Sequence, residues 1–216
     1  KSFDNQMNCA ERLLGIFPSA LNYWYHFSHS GKKISIENDS ESIAGHFLST
    51  LYEKKPSETE EKVMNVSLIL YAEHEFNAST FSARVCAATL SDFYSCITAA
   101  IGTLRGPLHG GANEKAMDLI SQFKDEEQAA KSIYSMLENK ELIMGFGHAV
   151  YKELDPRNDI IKSWSKKLSV GKINQKLYDI SCRIESIMKE EKDLFANADF
   201  FHASAYNFMD IPTKLF

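Results

Sequence analysis

No stretch of this chain alternates apolar and polar residues for the length of a β-strand, and that constrains its fold more than any motif in it. Helical spacing recurs instead. Ser57-Glu58-Thr59-Glu60 is a capping box, in which the Ser57 hydroxyl accepts from the Glu60 backbone and the Glu60 carboxylate reaches back to Ser57. The helix it opens carries Val63, Val66, Ile69 and Leu70 on one side and is expected to run to about His74. Further helices are expected over residues 79–90, 92–104, 113–123, 125–138, 159–168 and 174–189. The segment 92–104 is rich in Ala, Ile and Ser, which suits close packing between helices. The fold class read from this pattern is all-α.

Composition narrows the class. The chain has 216 residues, 44% hydrophobic and 25% charged, enough for one large globular domain or two small ones. Its net charge is -5 and its Lys and Arg residues are dispersed, so neither nucleic acid nor an anionic membrane surface is indicated as a partner. Apolar runs such as 68–72 are far too short to span a bilayer. Lys1-Ser2-Phe3-Asp4 does not read as a signal peptide. Cys9, Cys86, Cys96 and Cys182 are scattered without a C-x-x-C pair, which reads as reduced thiols in a cytoplasmic protein.

Glycine is scarce, with 10 in the chain, yet it clusters beside histidine in Gly106-Pro107-Leu108-His109-Gly110-Gly111 and Gly145-Phe146-Gly147-His148. In a helical protein such junctions bring backbone close to a ligand. The first cluster is also the natural domain boundary. His109 precedes a helix start, where a neutral imidazole can donate to a developing oxyanion; a turn histidine of no consequence is the alternative. After His148 comes Asp155-Pro156-Arg157, in which Arg157 offers a planar fork to a carboxylate, or else is a solvated residue of a Pro-initiated helix. His74 lies in Glu73-His74-Glu75-Phe76-Asn77-Ala78. Ala78 stands where H-E-x-x-H requires its second histidine, so no zinc site of that kind is present and no metal is expected. His26, His29, His46 and His202 read as packing or surface residues. Asp199, followed by Phe200 and Phe201, is either a base in apolar surroundings or the N-cap of a helix containing residues 203–208.

Taken together the motifs resemble those of the citrate synthase family. The segment Leu70-Tyr71-Ala72-Glu73-His74-Glu75-Phe76-Asn77-Ala78-Ser79-Thr80-Phe81 resembles its oxaloacetate-binding helix end. Gly106 to Glu114 is similar to its first catalytic histidine motif, and Gly145 to Tyr151 with Asp155-Pro156-Arg157 to its second. Asn197-Ala198-Asp199-Phe200 is similar to its catalytic aspartate segment, although Ala196 stands where the family usually has Pro. Within the family, Ala72-Glu73-His74-Glu75-Phe76, the segment Ser204 to Thr213 and the aromatic run Asn22 to Ser30 lean towards the 2-methylcitrate branch. Ala149, where ordinary citrate synthases often carry Arg, leans the same way.

The resemblance implies a two-domain helical fold, here cut at both ends. Residues 1–110 would belong to the large domain, 111–210 to the small domain, and 211–216 would start the return into the large one. It implies an acyl-CoA and oxaloacetate as substrates, no cofactor, and a homodimer. Asp199 would remove a proton beside the thioester carbonyl, His109 would stabilise the enolate oxygen, and His148 would polarise the oxaloacetate ketone. His74 and Arg157 would hold oxaloacetate, joined by arginines beyond Phe216. Leu108, Gly145, Phe146, Gly147 and Lys152 would lie against CoA.

Overall fold

The computed structural model describes residues 2–216, apart from the side chain of residue 172. The all-α expectation holds: among the described residues the only strand-like feature is one isolated antiparallel bridge, Phe146 to Ala196. The helices are α1 (Phe3–Ser30), α2 (Ile43–Tyr52), α3 (Glu58–Tyr71), α4 (Ala78–Ala88), α5 (Phe93–Leu104), α6 (Ala112–Ile120), α7 (Glu126–Glu138), α8 (Pro156–Leu168), α9 (Lys172–Lys192) and α10 (Ala198–Phe208). A 3-10 turn, Thr213–Leu215, follows. The chain divides into two compact units, the first ending at Ala100 and the second spanning Ile101–Phe216. The Gly106–Gly111 turn lies in the second unit.

In the first unit the capping box forms as read, with Glu60 N donating to Ser57 Oγ at 3.2 Å and Ser57 N to Glu60 Oε2 at 2.7 Å. The helix stops at Tyr71 rather than near His74, because Glu75 turns the chain at φ 53° and Asn77 caps the next helix. The 28 residues of α1 form one helix despite Pro18, closed by Gly31 in the left-handed region at φ 67°. Its inward stripe is polar. Ser19, Asn22 and His26, at helical spacing, all face α2: Ser19 Oγ lies 2.7 Å from His46 Nε2, Asn22 Nδ2 donates to Phe47 O at 2.8 Å, and His26 Nε2 donates to Leu51 O at 3.0 Å. The apolar residues of α1, Leu14, Phe17 and Trp24 among them, point outward.

The second unit is built on α10, which packs against α6, α8 and α9. Nearly every side chain of this helix is buried, with Phe200 and Phe201 fully so. A Phe truncated to Ala in such a core costs about 3–5 kcal/mol. Small residues let α8 approach closely, and the hydroxyls of Ser165 and Ser204 meet at 2.7 Å between α8 and α10. This α8 helix starts at Pro156, three residues ahead of the expected start at Asp159, because Asp155 caps it and Pro is tolerated at the first turn.

Candidate active site

One helix end organises the candidate residues of the second unit. Asn197, rather than Asp199, caps α10: its Oδ1 accepts from Asp199 N at 3.0 Å. Asp199 therefore sits in the first turn, half-exposed on a helix otherwise almost wholly buried. The cap residue also grips the second glycine cluster. Asn197 N donates to Gly145 O at 2.9 Å, Asn197 Nδ2 donates to Gly147 O at 3.0 Å, and Gly147 N donates to Phe195 O at 2.8 Å. Asn197 thus binds the turn leading into His148 to the helix end carrying Asp199.

Both glycines of that turn have left-handed backbones, Gly145 at φ 90° and Gly147 at φ 72°. At Gly145 a Cβ would lie 2.9 Å from Phe200 Cβ, so the strip lies directly on the core ring of α10. Phe146 packs on the same ring, at 4.6 Å between centroids.

The tautomer of His148 follows from its bonds. Its Nδ1 accepts from Val150 N at 3.0 Å and from Tyr151 N at 3.3 Å. A nitrogen that accepts from two backbone N–H groups carries no proton, so in the neutral ring the proton is on Nε2. His148 therefore presents a donor. Its ring lies 4.7 Å from that of Tyr151, and the Arg157 guanidinium lies 5.7 Å from the same Tyr151 ring.

Arg157 is not a solvated helix residue. Its side chain is 16% exposed, and the Asp155 carboxylate beside it is fully covered. Arg157 Nε donates to Asp155 Oδ1 at 3.0 Å and Nη2 to Oδ2 at 2.8 Å. Arg157 N also donates to Oδ1 at 3.0 Å, and Ala198 N of α10 to Oδ2 at 2.9 Å. Burial alone would raise the Asp155 pKa; the bonds and charge of Arg157 outweigh it and hold the carboxyl below its ordinary value. The pair is bidentate, made through Nε and Nη2 of the guanidinium.

His109 is half-buried in the tight turn before α6, with its N donating to Gly106 O at 2.9 Å and its O accepting from Ala112 N at 3.0 Å. Gly110 must be glycine there, since a Cβ would stand 2.8 Å from Leu104 O. Leu108 beside it is 80% exposed. Lys152 Nζ donates to Ala149 O at 3.1 Å. His74 belongs to the first unit, in the link between α3 and α4. Among the described residues no group of three or more His, Cys, Asp or Glu could hold a metal ion. Hydrogen bonds bring the His148 turn, the start of α8 with Arg157 and the first turn of α10 with Asp199 together at one helix end.

Three residues in these bonds carried no role in the sequence reading: Asn197, Asp155 and Tyr151. The signals were faint. Asp155 precedes a proline, as a cap does, and Asn197 precedes the aspartate it caps. A concavity of about 740 Å³ in the first unit was also not foreseen. Glu37, Asp39, Glu41, Glu53 and Glu61 outnumber Lys54 and Lys55 in its lining, and this net negative charge makes it a poor receiver for anionic substrates.

Comparison with known proteins places this architecture. A family profile described as "Citrate synthase, C-terminal domain" matches residues 1–216, and the chain belongs to the citrate synthase family. It is 61% identical over 215 residues to the 2-methylcitrate synthase of Shewanella oneidensis, covering 100% of this chain and 57% of that one. Citrate synthase 2 of Bacillus subtilis is 52% identical over 174 residues, which cover 81% of this chain and 47% of that one. Among solved structures, the ternary complex of carboxymethyl coenzyme A and oxaloacetate with the citrate synthase of Thermoplasma acidophilum superposes with TM-score 0.90 at 34% identity, covering 98% of this chain and 57% of that one. The chain thus spans about half the length of these relatives.

Proposed function

We propose that the protein to which this chain belongs condenses an acyl-CoA with oxaloacetate and water, releasing CoA, and that its preferred acyl-CoA is propionyl-CoA, with 2-methylcitrate as product. The observation that carries the reading is the Asn197 clamp, which joins a half-exposed carboxylate to the turn of a histidine whose Nε2 is a donor. Likeness to the Shewanella enzyme supports the choice of acyl group.

In this reading Asp199 takes the proton from the carbon beside the thioester carbonyl. A carboxylate is too weak a base to do so unaided, so His109 donates to the developing enolate oxygen. The enol carbon attacks the ketone carbon of oxaloacetate while His148 Nε2–H donates to the ketone oxygen. Water then cleaves the thioester C–S bond, leaving a carboxylate and free CoA thiol. Arg157 and His74 hold oxaloacetate carboxylates, aided by arginines outside this chain. Exposed Leu108, with Gly145, Phe146, Gly147 and Lys152, lies along CoA. Residues 111–210 act as the small domain that closes over the large one, which includes 1–110, and shuts out water until carbon–carbon bond formation is complete. The whole protein works as a cytoplasmic homodimer without a cofactor.

A second reading, acetyl-CoA as the preferred substrate, draws on the likeness to Citrate synthase 2. One methylene in an apolar pocket discriminates by only about 1–3 kcal/mol, so the two activities overlap. The deciding test is release of CoA thiol by the full-length enzyme with oxaloacetate. A higher kcat/KM for propionyl-CoA is expected. Preference for acetyl-CoA establishes the second reading, and no release from either, by folded enzyme that binds oxaloacetate, overturns both.

A further inference from the structure

The Asp155 carboxylate does more than a helix cap requires. A cap needs one accepted bond, here from Arg157 N, and serine would supply it as well. Asp155 accepts three more: two from the guanidinium of its own helix and one from Ala198 N, the residue before Asp199 on α10. It is fully covered, so these bonds are shielded from water and their geometry is held by packing on all sides.

We infer that Asp155 is a positioning residue, a single buried carboxylate that sets the Arg157 fork and the first turn of α10 at a fixed separation. This rests on the proposed roles of Arg157 and Asp199. The two bonds from Asp155 fix the orientation of the Arg157 guanidinium, while the bond to Ala198 N holds the helix end from which Asp199 acts. Misplacement of either by about 1 Å costs on the order of 100-fold in rate. Buried His202, one turn along α10, donates from Nδ1 to Ala198 O at 2.6 Å and braces the same residue from the other side. Burial pushes its pKa down to about 4, so it is neutral at pH 7 and puts no second cation beside the pair.

The test compares Asp155→Ser, which keeps the α8 cap, with Arg157→Lys and the double variant, in the full-length enzyme. For Asp155→Ser the expected result is a KM for oxaloacetate raised about 10- to 100-fold with a fall in kcat, and a KM for acyl-CoA little changed. In the Arg157→Lys background the Asp155→Ser effect on KM shrinks to less than about threefold, because both act through one fork. Equal losses in both backgrounds, or a loss of kcat with both KM values unchanged, overturn the inference in favour of a purely structural cap. If Arg157→Lys alone leaves the KM for oxaloacetate unchanged, the role of Arg157 itself is wrong and the inference falls with it. Asp155→Asn, of equal size, repeats the comparison should the serine variant not fold; if neither folds, Asp155 serves the fold and the positioning role is overturned.

Discussion

The two units invert each other's chemistry. Along α1 the first unit buries an amide and half-buries a hydroxyl and an imidazole against α2, and turns phenyl and indole rings outward. Along α10 the second unit buries phenyl rings and leaves a carboxylate half-exposed. Fully buried apolar area drives folding, and polar seams contribute little net stability while fixing register. The second unit therefore has the more self-sufficient core, and the first presents faces on α1, α3 and α4 that suit burial against further protein.

The contrast can be broken or sharpened experimentally. The largest effect is on chemistry: Asp199→Asn lowers kcat about 10²- to 10⁴-fold with oxaloacetate affinity nearly intact, whereas Asp39→Asn, in the acidic concavity of the first unit, leaves turnover unchanged. Steady-state kinetics with calorimetric titration of oxaloacetate check both, and near-normal turnover of Asp199→Asn would remove the base assignment. Next comes core truncation. Phe200→Ala costs about 3–5 kcal/mol in urea unfolding, while Phe81→Ala, 64% exposed on α4, costs less than about 0.5 kcal/mol in the isolated chain. A similar loss at both positions would mean that the outer face of the first unit is already packed.

A smaller effect depends on pH. Folding lowers the His202 pKa from 6.5 to about 4, so between those values the unfolded chain binds a proton that the native chain refuses. Stability contributed by neutral His202 is whole above about pH 6.5 and falls as pH drops towards 4, by on the order of 3 kcal/mol. Unfolding followed from pH 7 to 4.5 should show this slope, and His202→Gln should flatten it; an unchanged slope would place the titration elsewhere. Smallest is Gly31→Ala at the end of α1. Nothing lies within 4 Å of the added Cβ, so only the left-handed backbone is penalised, by about 1–2 kcal/mol. A larger thermal shift would reveal packing at that corner.

Much of this was legible in the sequence because it is local. The capping box spans a few residues and formed as read, and helical spacing located α3 to α9 with some ends shifted by a few residues. The first two helices were not marked out, since Pro18 and Gly15 interrupt the pattern of α1 and its buried stripe is polar, opposite to what periodicity seeks. Asp199 was open between base and cap, and the cap proved to be Asn197. The clamps escaped because they join residues far apart in the chain. Neither Asp155 reaching Ala198 nor Asn197 reaching Gly147 leaves any trace in spacing.

The pairing of Gly145–Gly147 with Phe195–Asn197 has a consequence for how such a protein can change over time. It sews the chain shut at both ends of a long excursion, whose far turn, around Val170 and Gly171, is open to solvent. Residues inserted or lost at that turn add slack outside the seam and transmit none of it to the histidine on one side or the aspartate on the other. Under the proposed roles, His148 and Asp199 are insulated from drift in the length of the chain between them, and the outer turn is where lineages can lengthen, shorten or graft onto this fold.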